Sequence, residues 1–419
     1  MEKVDEQIAI NSVVRTISSQ ESESTSNPIR MSRFMTILFA VTCGMSVANI
    51  YFAQPILDNL SSEFGVEHST IGILITITQI FYAVGLLLLV PLGDLLNQRK
   101  LIIGQMSLSM IALVIVGTAS SSTALFVGMA MVGLLAVVTQ TLVAFASTMA
   151  IPAERGRVVG TITSGIVIGI LLARSISGII TDFAGWRFVY LLSAVLMLVM
   201  VYTLFRVLPN VERKVTNISY FQLLRSVIML FAQERILRIR AILAMLIFTV
   251  FSILWTPLVL PLSAPPLSLS HTAIGAFGLV GVVGALAAAR AGKLADRGYG
   301  QKTTGVALTL LLLSWWLISY TEKSLLALVI GIVLLDLAVQ AVHVTNQSMI
   351  FTLRADARSR LTAGYMVFYS IGSAVGSIAS TQIYAHYGWH GVCLLGAAVS
   401  ALALLFWAMT VRATAAVLK

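Results

Sequence analysis

Four polar side chains, Asp336, Gln340, His343 and Gln347, recur at spacings of four, three and four inside an otherwise apolar stretch. At roughly 100° per residue, a helix brings all four into an arc of about 60°. A stripe that narrow predicts a helix face turned toward a water-filled cavity. Asp336 is the carboxylate placed deep in an apolar run. A charge at such a depth costs on the order of 2.5–3.5 kcal/mol, and groups that occupy it mark proton relays and ion pathways. Asp336 is therefore the candidate protonatable group. Arg174, mid to outer in its own run, and His343 are its candidate companions in proton coupling. Approach and separation of the two charges would bind and release a proton. A static Asp336–Arg174 pair that only fixes helix packing is the other reading, and His343 reads equally as a hydrogen-bonded structural residue.

Further polar and aromatic residues interrupt the apolar runs. Thr42, Ser46 and Asn49 share one helical face, and Gln54 precedes the helix-distorting Pro55. With Gln79, Tyr82, Gln140, Trp255, Tyr365 and Tyr369 they are candidates for lining the same cavity as Gln340 and Gln347. For each, an interhelical hydrogen bond worth ~0.6 kcal/mol is the competing explanation. No H-E-x-x-H, Walker or G-x-S-x-G stretch occurs, so the sequence points to no metal, no cofactor and no enzyme activity. Cys43 and Cys393, the two cysteines, lie within apolar runs and suggest neither a disulfide nor a thiolate site.

Composition says what must hold these residues in place. Charged residues make up 11% of the 419-residue chain, hydrophobic residues 58%, and the mean hydropathy is +0.94. A soluble domain carries roughly 25% charged residues, so most of this surface must face lipid. The net charge of +10 falls in small clusters between apolar runs. Nothing there resembles the basic, aromatic-interleaved patch of a nucleic-acid binder.

A span needs about 20 apolar residues. Such runs fall at 34–57, 69–91, 101–119, 123–150, 158–181, 187–208, 239–262, 272–291, 303–320, 324–350, 361–384 and 389–411. The reading is an all-α membrane protein with a polar tail at 1–33, a six-helix bundle at 34–208, and a linker at 209–238. A second six-helix bundle at 239–411 and a tail at 412–419 follow. Residues 1–30 show no signal-peptide pattern. In the linker, Phe221, Leu224, Ile228 and Phe231 recur at helical spacing; an interfacial helix and a plain solvated linker both fit. With the N-terminus inside, basic residues such as Arg33, Arg99, Lys100, Arg155, Arg157, Arg206, Arg240, Arg290, Arg297 and Arg358 fall on the cytoplasmic side. Arg187 and Lys323 are left outside. The positive-inside rule then puts both termini in the cytoplasm.

The two halves repeat. RGRVVG at 155–160 matches RSRLTAG at 358–364, GWR at 185–187 matches GWH at 388–390, and Gly169 matches Gly372, all offset by 203 positions. GDLLNQRK at 93–100 has a partner in GKLADRGYGQK at 292–302. From about residue 34 onward the chain resembles the major facilitator superfamily, whose loop signature G-x-L-a-D-R-x-G-R-R is similar to both copies. Gly93, Asp94, Arg99 and Lys100, and Gly292, Asp296 and Arg297, are the gating-loop residues the resemblance implies. Asn97 stands at the usual acidic position of the first copy. The stretch Gly169–Gly178 aligns with the fifth-helix motif of the drug-antiporter branch, but Arg174 replaces its proline, and Met129 replaces the arginine of the fourth helix. NIYFAQP and ILLARSISG look more like a bacterial drug- or sugar-efflux-type branch. The resemblance implies a monomeric inner-membrane secondary transporter that exports a small organic solute against protons. Proton-coupled nutrient uptake is the alternative.

Overall fold

Helix starts in this chain follow local capping chemistry. Ser32 Oγ accepts from the Met35 backbone N–H at 3.1 Å, Asn97 Oδ1 from Lys100 at 3.2 Å, and Ser121 Oγ from Ala124 at 3.3 Å. Ser270 and Ser324 do the same for Ala273 and Ala327, each at 3.2 Å. Each cap satisfies a backbone donor that the first helical turn would otherwise leave open. Asn97 thus serves as the cap of the helix that follows it.

The computed structural model describes residues 31–151, 154–209, 220–351, 353 and 358–415, and every element among them is a helix. In order they are α1 (Arg33–Tyr51), α2 (Leu57–Phe64), α3 (Gly72–Leu88), α4 (Gln98–Gly117), α5 (Ser122–Leu135), α6 (Val138–Met149), α7 (Arg155–Ala184) and α8 (Trp186–Val207). The second half holds α9 (Tyr220–Gln233), α10 (Arg235–Trp255), α11 (Val259–Ser263), α12 (His271–Leu294), α13 (Gly300–Ile318), α14 (Leu325–Phe351) and α15 (Arg358–Ala415). Among the described residues, nine helical stretches are long and apolar enough to cross a membrane.

Several apolar runs are broken where the sequence supplies a breaker. The first run bends through a 3₁₀ turn at Gln54–Ile56 built on Pro55, and Gly65 (φ 61°) ends α2 in the left-handed region. The last two runs are two helical segments, together labelled α15, that meet at a kink at Gly388 (φ 61°), the repeat partner of Gly185 (φ 80°) between α7 and α8. The repeat has a packing meaning as well. A Cβ at Gly169 would overlap the backbone of Gly44 in α1, and one at Gly372 would overlap Met245 O in α10. Close backbone approach of this kind is how membrane helices gain dispersion contact without a hydrophobic driving force.

Apolar side chains cover the outside. Phe183, Trp316 and Leu405 are 88%, 67% and 61% exposed, as lipid-facing positions should be. In the linker, α9 forms. Val227 and Leu230 are buried, Phe231 stacks on Phe368 of α15, and Phe221 and Ile228 point outward. Two of the residues in the expected apolar stripe therefore face away from the bundle.

The halves meet through α3 with α15 and α7 with α12. Thr76 Oγ1 donates to Ala374 O at 2.9 Å, and Ser175 Oγ to Gly275 O at 2.8 Å. Gly72 is packed against Ser377 and Thr381, and Gly178 against His271 O. These contacts lie on the halves of the helices remote from α9, hereafter the far side; the side bearing α9 and the 93–100 loop is the linker side.

Candidate functional site

Asp336, on α14, is 4% exposed, and its Oδ1 accepts a hydrogen bond from Trp255 Nε1 at 3.1 Å. The same indole receives Arg174 from α7, whose guanidinium carbon lies 3.9 Å from the ring centroid. The two charges of opposite sign therefore meet on one side chain, Trp255, at the end of α10. Arg174 also donates from Nε to Gln54 Oε1 at 2.8 Å and lies 5.4 Å from the Tyr51 ring and 5.3 Å from that of Phe251. Its Nη1 and Nη2 have no hydrogen-bond partner among the described residues. Arg174 and Gln54 come from the first half of the chain, Trp255 and Asp336 from the second. The cluster is an electrostatic joint between them.

Immediately beside it, the Tyr51 and Tyr369 hydroxyls hydrogen-bond to each other, again across the halves. Below this pair, toward the linker side, opens a cavity of about 270 Å³. Gln79, Gln140, Gln340, His343, Gln347 and Tyr369 line it, and Val159, Thr163, Phe351 and Thr362 mark its linker-side end. Gln340, His343 and Gln347 of the polar stripe border the open space. Asp336, one turn deeper, is packed behind it against Trp255.

His343 shares a hydrogen bond between Nδ1 and Tyr365 Oη at 2.9 Å, and its ring meets Phe248 edge-on at 5.2 Å. Tyr365 is fully buried and supports the cavity wall from behind. It also accepts from Asn346 Nδ2 at 3.5 Å, and Asn346 Oδ1 accepts from Arg240 Nη1 at 3.2 Å. Arg240, read from the sequence at the cytoplasmic end of its run, is 0% exposed within α10 and also donates to Thr304 Oγ1 at 3.4 Å.

Asn49 is likewise turned elsewhere. Its Oδ1 accepts from Ser193 Oγ at 2.6 Å, so it joins α1 to α8 and does not border the cavity. Arg99 donates to Phe205 O at 2.6 Å and lies 5.2 Å from the Phe205 ring, which ties the 93–100 loop to α8 of its own half. Gly93 O accepts from Gln98 Nε2 at 3.2 Å, the Lys100 amide is capped by Asn97, and Arg297 is exposed. The side chains of Asp94, Arg290 and Asp296 and the surroundings of Gly292 are outside what the structure describes, and residues 1–30, Arg354 and 416–419 lie outside the described residues altogether. A larger cleft of about 490 Å³ between α1, α7 and α8 is lined almost wholly by apolar groups such as Ile168 and Leu172, and it opens toward lipid.

Sequence reasoning missed Tyr51, Phe248 and Phe251. They belong to continuous apolar stretches in which nothing but the fold distinguishes a cavity wall from a lipid face.

With this geometry in view, the comparisons with known proteins are decisive for family. The sequence profile of the Major Facilitator Superfamily matches residues 35–297 and 241–419. The chain belongs to this superfamily. The uncharacterized transporter YgaY of Escherichia coli O157:H7 is 46% identical over 377 residues, which cover 90% of this chain and 95% of that protein. Among solved structures, a bacterial homolog of the human lysosomal transporter Spinster, in an inward-facing and occupied conformation, superposes with a TM-score of 0.73. It is 12% identical and covers 90% of this chain and 96% of its own. The human organic anion transporter MFSD10 gives a TM-score of 0.65 at 13% identity, covering 89% of this chain and 98% of its own. At that identity both structures speak for the fold alone. Membership makes this superfamily chain a multi-pass membrane transporter.

Proposed function

We propose that this transporter is a proton-coupled secondary carrier of the bacterial inner membrane, exporting a small organic solute, drug- or sugar-like, by alternating access. Its twelve spans form two six-helix bundles with both termini in the cytoplasm. The linker side is then the cytoplasmic side, and the cavity below Tyr51–Tyr369 is the inward-facing state of the solute site. One observation carries the reading. Asp336 and Arg174 come from opposite halves and meet on a single indole, beside the cavity, in the layer where the halves touch.

Rocking the halves apart on the far side must separate Arg174 from Trp255. That leaves Asp336 without the nearby cation and changes its readiness to hold a proton. Carboxamides of Gln79, Gln140, Gln340 and Gln347 offer donors and acceptors to the solute, and the Phe248 and Phe251 rings offer apolar surface. The 93–100 and 292–302 loops serve as gates on the cytoplasmic side, where Arg99 holds the first loop to Phe205 and the exposed Lys100 and Arg297 are left to meet the other half.

Purified protein in vesicles with an imposed pH gradient, inside acidic, and a panel of labelled solutes tests this directly. Accumulation of one solute that collapses with the gradient supports export. Accumulation only with the opposite gradient would assign uptake instead, and flux that fails to saturate would indicate a channel.

A further inference from the structure

His271 is the first residue of α12, ahead of its apolar run and on the far rim of the protein. Both of its ring nitrogens face carboxylates. Nδ1 lies 3.0 Å from Asp182 Oδ1, near the end of α7, and Nε2 lies 3.2 Å and 3.3 Å from the two oxygens of Asp58 on α2. A neutral imidazole has one N–H and one bare nitrogen, and an ionised carboxylate only accepts. A neutral ring can satisfy one of these contacts, never both; the imidazolium satisfies both. Asp182 also accepts from the backbone N–H groups of His271 at 3.3 Å and Thr272 at 2.7 Å, so it caps α12 whatever the ring's charge. The three side chains are at most 27% exposed.

Asp58 and Asp182 belong to the first half of the chain and His271 to the second. Among the described residues, the charged groups facing the ring from the helices packed against it are these two; α11, the short neighbouring helix Val259–Ser263, carries no charged side chain. The hydrogen bond with Asp58 first, then its charge and the contacts with Asp182, raise the His271 pKa above the usual histidine value against the opposing effect of burial.

We propose that His271 is a proton-binding site that latches α2 and α7 to α12, holding the far face shut while the solution outside it is acidic. This site is separate from Asp336 and acts on the gate, not on the solute. The sign follows from the raised pKa. Closure binds the proton more tightly than the open state does, so the latch is fully formed below the open-state pKa. It is lost as pH rises through the closed-state value. One proton limits the change in the opening equilibrium to about tenfold per pH unit.

The latch rests on the proposed orientation only in calling the far face external, and the test separates the two. Thr381, buried between α3 and α15, is replaced by Cys and treated from outside with an impermeant thiol reagent, from about pH 6 to about pH 9. Rates are normalised to an exposed Glu67→Cys control on the same face, which removes the reagent's own pH dependence. Labelling of the control confirms which face is outside. The normalised rate should climb several-fold toward alkaline pH with His271 present and become flat and fast in His271→Gln. An unchanged pH slope in His271→Gln, or no slope with His271 present, overturns the latch. As a second reading that needs no engineered cysteine, His271→Gln and Asp58→Asn should each weaken the dependence of transport on external pH at fixed gradient. Full dependence in both variants would also overturn it.

Discussion

Trp255 carries two distinguishable interactions at the residue scale, and substitution separates them. Trp255→Phe keeps a ring for Arg174 and removes the N–H that Asp336 accepts; Trp255→Leu removes both. A cation over an aromatic face is worth about 0.5–2 kcal/mol, and a hydrogen bond to a charged group about 1.5–3 kcal/mol. The expected order of gradient-driven transport is wild type, then Phe, then Leu, measured as initial rates in vesicles. Equal activity in all three would mean that the indole is only filling space. Asn49 is predicted to behave differently because it faces Ser193. Asn49→Ala and Ser193→Ala should each cost ~0.6 kcal/mol of stability, couple in a double-mutant cycle, and leave solute affinity unchanged. The helical spacing of Asp336, Gln340, His343 and Gln347 was readable because polar residues are rare in this chain. Asn49 obeyed the same spacing on α1 and yet turned toward α8. Periodicity says that residues share a face; it does not say what that face meets. Arg240 shows the complementary limit, since a run end read from hydropathy cannot tell a loop charge from one drawn between helices by Asn346 and Thr304.

Among the elements, the pairs α1–α7 and α10–α15 set the internal geometry of each half through Gly169 and Gly372. Valine at either position drives a branched side chain into backbone, and overpacking of that kind costs typically 1–3 kcal/mol. Gly169→Val and Gly372→Val should lower thermal stability in detergent by comparable amounts, as the repeat demands. A strongly unequal loss would mean that the 203-residue register is not a packing equivalence. This layer was legible beforehand. Long apolar runs, the paired RGRVVG and RSRLTAG starts and the GWR and GWH turns anticipated where α7, α8 and α15 begin and turn. The break between α5 and α6 at 136–137 was not, because hydropathy is continuous through it, whereas Pro55 marked the one at Gln54–Ile56. The latch of Asp58, Asp182 and His271 was also invisible, since each residue alone looks like an ordinary polar flank at the end of a run.

For the whole molecule, the far side is closed by α3 against α15 and by α7 against α12, while the cavity reaches the linker side. Alternating access requires the far-side contacts to part. A Gly72→Cys, Thr381→Cys pair brings two sulfurs into the α3–α15 contact, where Gly72 already packs on the Thr381 side chain. Oxidation should arrest transport and reduction restore it, with solute binding from the linker side retained; transport at full rate through the cross-link would exclude the motion. The central claim, that one carboxylate couples protons to solute, is tested most directly by counting protons. Vesicles loaded with a pH-sensitive dye, at uniform pH and with an outward solute gradient, should show solute-driven proton movement in the wild type. In Asp336→Asn that movement should vanish while solute exchange at equal pH persists. Undiminished proton movement in Asp336→Asn, in step with solute flux, would contradict the account.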